Sequence, residues 1–178
     1  MGTARPPEPA KLVAGLLVGN TELLPVITEV LEREFGPVDL KSELMDFSFT
    51  RYYEPELGPN IKRQFFSFAR LIDPGTLAEI KVRTNCIEQD LAYGGRRVVN
   101  IDPGYVTKAK LVLATTKDYA HRIYLAQGIY AEVTLSYSRG EFQPLPWTYP
   151  DYQTKAYRDF FRRVRDVYRE QVRAGRIE

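Results

Sequence analysis

Residues 96–133 surround the chain's only histidine, His121, with side chains that bind charge or move protons: Arg97, Asn100, Asp102, Lys108, Lys110, Lys117, Asp118, Arg122, Tyr130 and Glu132. An imidazole exchanges a proton near neutral pH without a large shift. Arginine grips an oxyanion through a planar fork, and lysine does so as a point charge. These residue types together suit a phosphate-containing anion, either a nucleotide or a phosphate ester, and they suit phosphoryl or phosphodiester chemistry. Lys117 and Arg122 are expected to clamp the anion, with Lys110, Arg97, Asn100 and Tyr130 around it. His121 is the expected general acid or base, with Asp118 and Glu132 as catalytic carboxylates. Asp102 is the candidate metal ligand. The ion it suits is Mg²⁺, which often takes one or two protein carboxylates and completes its shell with ligand phosphates.

One further residue is expected to reach this site from elsewhere. In "RTNCIEQD" (83–90), Asn85 and Glu88 stand three apart on one helix face, beside Lys81. The competing reading of the whole set is a solvated sheet face whose Lys/Glu pairs cross-link neighbouring strands. In that case Asp102 serves only its turn.

The charge distribution favours the first reading. Residues 1–95 carry ten Lys/Arg against fourteen Asp/Glu, whereas residues 96–140 carry seven against three. A field of that sign attracts anions, small phosphates and nucleic-acid backbones alike. Several established chemistries are excluded. Neither GxxxxGK[ST] nor GxGxxG occurs, so no phosphate cradle of those kinds is present. No GxSxG elbow marks a serine hydrolase. A lone histidine cannot build a histidine-rich metal site, and a lone cysteine, Cys86, excludes an internal disulfide and a Cys-based zinc site. "ATTKDY" (114–119) is close to the guanine-reading Thr-Lys-x-Asp motif, but Lys117 and Asp118 are adjacent where that motif has a residue between. Gly19 sits at a strand-to-helix turn, a place where backbone N–H groups can meet an anion. The longest apolar run, "LVAGLLV" (12–18), is far too short to span a bilayer, and the opening "MGTARPPEPA" has no signal-peptide core. Cytoplasmic location without membrane contact is expected.

The elements that must position these residues follow from periodicity. Residues 1–10 read as a disordered tail, and residues 11–178 as one α+β domain. "KLVAGLLVG" is a strand covered on both faces. A helix follows over "ELLPVITEVLEREFG", with Pro25 in its first turn, and Gly36-Pro37 stops it. "LKSELMDFSFTRYY" (40–53) alternates as a strand, and "IKRQFFSFARLI" (61–72) pairs with it. "DPGT" caps a second helix over 76–92. With "RVVNI" (97–101) as the next strand, the order is a ferredoxin-like split β-α-β unit. "NIDPG" is expected to turn there. "KLVLATT" is a further strand, "RIYL" and "IYAEVTLSY" form an extra C-terminal hairpin about "AQG", and "SRGE" turns again. In that hairpin Tyr130, Glu132, Thr134 and Ser136 share one face, while Ile129, Ala131, Val133 and Leu135 point to the core. "FQPLPWTYPDY" reads as a connection to a terminal helix over about 153–173. The sheet is antiparallel or mixed.

Two other functions fit the sequence. Residues 96–125 and the helical stripe Arg158, Arg162, Arg165, Arg169 and Arg173 suit an RNA or other nucleic-acid partner. A non-catalytic protein-interaction subunit is the third reading. The segments "KRQFFSFARLIDPGTLAEIKVRTNCIE", "NIDPGYVTKAKLVLATTKDYAHRIYLAQGIYAEVTL" and "FQPLPWTYPDY" resemble the family catalogued as domain of unknown function 4416. The resemblance covers nearly the whole chain beyond the proline-rich start. It implies a stand-alone protein of this length, and members are sometimes labelled GTP-binding.

Overall fold

β1 (Ala10–Val18) is buried along its whole length, because both faces of the sheet are covered here. Its alternate residues divide the core in two. Leu12, Ala14, Leu16 and Val18 meet Ile27 and Leu31 of α1 (Leu24–Phe35) and Ile80 and Ile87 of α3 (Leu77–Asp90). Val13 faces the other way, toward Phe65 and the apolar stripe Tyr157, Phe160, Phe161 and Val164 of α4 (Lys155–Ala174). The Phe65 ring is the hub of that second layer, with Tyr157 at 4.6 Å and Phe161 at 4.9 Å between centroids. The computed structural model describes residues 2–175.

Between these helical layers the remaining strands are β2 (Val38–Lys41), β3 (Met45–Asp46), β4 (Lys62–Ile72), β5 (Val99–Val106), β6 (Lys110–Thr115), β7 (Ile123–Ala126), β8 (Ile129–Ser138) and β9 (Glu141–Pro144). They form one antiparallel sheet in the order β2-β4-β1-β5-β6-β8-β7, with β3 added to β4 and β9 to β8. The chain is therefore α+β, with β1, α1, β2, β4, α3 and β5 in that chain order and β3 between β2 and β4. No helix among the described residues is long and apolar enough to cross a membrane.

Several elements depart from the expected ones. The tail is shorter, since Ala10 is buried in β1, Glu8 pairs with Lys108 at 2.8 Å, and Tyr168 donates to the Pro9 carbonyl. Residues 40–53 are not one strand. The chain leaves β4 after Asp46 because Phe47 joins a small cluster with Leu17, Leu57, Ile61 and Tyr53, which overrides the alternation. It then passes through the short helix α2 (Glu54–Leu57). The expected connection after "SRGE" begins as a strand, β9, which pairs with β8.

The most consequential departure is at "NIDPG", which does not turn. β5 runs straight through Pro103 and Gly104. Its ladder to β6 covers only Gly104 to Val106. Pro103 has no N–H to give β6, so the pairing ends there and the proline sits at a ladder end that tolerates it. Gly104 is needed for the close approach above it, because a Cβ there would lie 2.3 Å from the Val112 carbonyl oxygen. Below Gly104 the two strands part. Ala114 and Thr115 of β6 keep pairing with β8 on their far side, while Ile101 of β5 finds its partners on a helix.

Candidate functional site

The split between β5 and β6 opens a cleft of about 630 Å³. Asn100 and Asp102 of β5 line one side, and Leu113 to Lys117 line the other. Phe47, Phe49, Tyr52 and Tyr53, from the segment that leaves β4, form an aromatic wall, and Tyr149 and Tyr152 add to it. Lys81, Asn85, Glu88 and Gln89 of α3 close the inner end.

The inner end is built from buried charge. Lys81 donates to the Ile101 carbonyl (2.9 Å) and Glu88 accepts from the Ile101 N–H (2.6 Å). Two side chains of one helix thus replace the strand that β5 lacks at this point, which satisfies both backbone groups of Ile101. Burial pushes the Glu88 carboxyl above its ordinary range, against the pull of Lys81 and Arg97. Arg63 of β4 lies flat against Gly15, where a Cβ would come within 2.9 Å of both the guanidinium and the Phe65 ring. It is 3.2 Å from Asp151 and 3.5 Å from Asp102, among the rings of Phe47, Phe65, Tyr152 and Tyr157. Burial raises the Asp151 carboxyl as well. Lys81 and Glu88 stand beside Asn85 on the helix face noted in the sequence, whereas Arg63 and Asp151 are not among the site residues expected from it. Lys81 and Glu88 each follow a core residue of the same helix, Ile80 and Ile87, and a charge on a buried stripe needs a reason.

The expected residues divide into those on the cleft wall and those away from it. Arg97, Asn100, Asp102, Asn85, Lys117, Arg122 and Glu132 all line it. His121, Asp118, Lys110 and Tyr130 do not. Lys110 is exposed at the opposite end of β6, across from Ser136. Tyr130 packs edge-on against Tyr124, with Asp118 beside its hydroxyl. His121 lies behind Glu132, with Nε2 2.9 Å from that carboxylate and its ring stacked on Trp147 at 5.3 Å. The β8 face bearing Glu132 and Thr134 is buried, so it is not a solvated sheet face.

Being on the wall does not leave a group free. The Arg122 guanidinium bonds Glu132 (2.9 Å), the Lys117 carbonyl (3.1 Å) and the Tyr149 hydroxyl (3.2 Å), and it covers the Tyr119 ring. Arg97 bonds Glu56, Glu88 and Asn100. Both arginines fasten segments of the wall together. Asn100 is fixed between Arg97 and Asp102, to which it donates at 2.9 Å. Asp102 faces Arg63, Lys81 and Asn100, and no group of three or more His, Cys, Asp or Glu among the described residues is arranged to hold a metal ion. Lys117 is different. Among the described residues lining the cleft it is the one cation without a carboxylate partner, and its ammonium lies 4.8 Å from the Tyr52 ring centre. On the terminal helix, Arg165 donates to the Lys108 carbonyl and Arg158 to that of Phe142, so part of the arginine stripe packs against the body.

No curated protein and no solved structure gives a match to this chain. A family model does, over residues 8–168, and that span takes in every strand, the whole cleft and most of α4. The chain therefore belongs to the family described as domain of unknown function 4416.

Proposed function

We propose that the cleft between β5 and β6 binds a small ligand that carries both a flat ring and a phosphate, with a nucleotide as the class that supplies both. The observation that carries this reading is the position of Lys117. Arg63, Arg97 and Arg122 are each paired with a carboxylate and Lys81 is buried against Ile101 and Asp102, so at the aromatic rim an incoming anion meets Lys117. Tyr52, Phe49 and Tyr149 offer ring faces beside it, suited to stacking. A volume of about 630 Å³ is within the ordinary range of small-molecule pockets. The proposal is one of binding, because His121, the expected proton carrier, lies behind Glu132 and off the cleft lining.

Thermal melting of the purified protein against nucleotides and sugar phosphates, each with and without Mg²⁺, tests it. A ligand that binds only the folded chain raises the melting temperature, by an amount that grows with the logarithm of its concentration above the dissociation constant. A concentration-dependent rise with a nucleotide, lost in Lys117→Ala, is expected. A rise that survives Lys117→Ala, or none with any phosphate compound, overturns the reading.

A further inference from the structure

The inner end of the cleft carries a second feature, which rests on the reading above and goes further into the ligand's identity. α3 presents Lys81, Asn85, Glu88 and Gln89 to the cleft, within about two turns of one helix. Lys81 and Glu88 are held by the Ile101 backbone, and Glu88 also by Arg97. Asn100, on the facing strand, is fixed on both sides of its amide. Asn85 stands between the two anchored charges and its half-buried amide makes no hydrogen bond within the described residues. Gln89, one turn further on, is likewise unengaged through its side chain and reaches more open solvent.

We infer that Asn85, supported by Gln89, contacts the edge of the ligand's ring and that the ring is a nucleobase. A carboxamide presents a donor and an acceptor side by side, and it pairs with an edge that shows the complementary two, as asparagine and glutamine do with adenine. It has no charge to offer a phosphate. The phosphate belongs at Lys117, on the rim, and the ring between the aromatic wall and α3. Neighbouring Lys81 and Glu88 hold the helix in place by their bonds to Ile101, so the free amide has a fixed frame from which to discriminate. Asn85 is thus a specificity residue and Lys117 an affinity residue, acting on different parts of one molecule.

Calorimetric titration of the intact protein separates the two. The probes are the four common nucleosides, their 5′-monophosphates and ribose 5-phosphate, and the variants are Asn85→Asp, Asn85→Ala and Lys117→Ala. Asparagine to aspartate keeps the shape but leaves acceptors only, so the order of preference among the four bases should change. At least one pair of bases should shift by about tenfold relative to each other. Ribose 5-phosphate should bind Asn85→Asp and the native chain alike, and Asn85→Ala should level the differences between bases. The inference fails if Asn85→Asp weakens all four bases by one factor, or if ribose 5-phosphate binds as well as any nucleotide. If nucleosides bind and Lys117→Ala changes nothing, the phosphate reading falls and the assignment of Asn85 stands. If none of the probes binds, both fall. Melting curves of the two Asn85 variants, matched to the native one, show that each change is read in a folded protein.

Discussion

Two lysines are buried among the described residues, and their surroundings differ in kind. Lys11 of β1 gives its three N–H groups to Asp39 (2.6 Å), the Phe68 carbonyl (2.9 Å) and Gln171 (2.8 Å), so one ammonium ties β2, β4 and α4 to β1. Every hydrogen it carries is used, and its side chain has no exposure. Lys81 has a single hydrogen bond, to Ile101, and its nearest carboxylate oxygen, on Asp102, is 3.9 Å away. Both positions lie where a sequence pattern expects apolar residues. The first is a closed staple. The second borders a space in which a ligand could meet what is left of its hydrogen-bonding capacity. A buried charge is costly unless it is paired and bonded, so the completeness of its bonding distinguishes a group that serves the fold from one that also faces a site.

The sharpest way to break this comparison is to remove each amine. Lys11→Ala leaves Asp39 without its cation and two further acceptors unmet, and the loss of a buried ion partner costs about 3–5 kcal/mol. Lys81→Ala leaves one buried carbonyl unmet and is expected to cost about 1–3 kcal/mol. Urea unfolding of the two variants checks the order, and equal losses would remove the distinction between closed and open. A smaller effect appears in pH. Because burial raises the Glu88 carboxyl, the folded chain holds that proton more tightly than the unfolded one. Its contribution to stability therefore declines as pH climbs from the ordinary carboxylate range of about 4 through the raised value. Glu88→Gln removes that decline, so the variant should gain on the native chain as pH rises over this interval, in urea midpoints taken at successive pH values. Asp151→Asn should act in the same direction, since burial raises that group too. The smallest expected change is in Lys117→Ala, an exposed position without a carboxylate partner, which should leave the melting temperature of the free protein where it was.

The sequence was most readable where a periodic pattern had no competitor. β1, α1, β4, α3 and α4 follow their apolar spacing closely, and Pro25 begins α1 as a first-turn proline should. It was misread at Pro103-Gly104, because that dipeptide usually marks a turn and only the pairing partner, unknown from sequence, shows that the missing N–H ends a ladder instead. The same is true of the site. Asn85, Asn100, Asp102 and Lys117 are singled out by residue type alone, and all four line the cleft. Arg63 carries no such signal, because it occupies a buried position of a strand whose neighbours Phe65, Phe66 and Phe68 are apolar. His121 drew attention as the only imidazole, yet its neighbours Glu132 and Trp147 hold it behind the wall. Rarity of a residue type is a weaker guide than an unexplained charge on a buried stripe.

The bond between Glu88 and the Ile101 N–H has a practical consequence. At 2.6 Å it is a short, charge-assisted contact from a backbone amide to a carboxylate, in a sheet whose other ladders run from amide to carbonyl. The proton in such a bond resonates well downfield of its neighbours, and its position follows the ionisation of the acceptor. In a ¹H–¹⁵N correlation spectrum, the Ile101 signal would therefore stand apart and serve as a built-in indicator for the inner end of the cleft, moving when Glu88 takes up a proton and again when a ligand settles against α3.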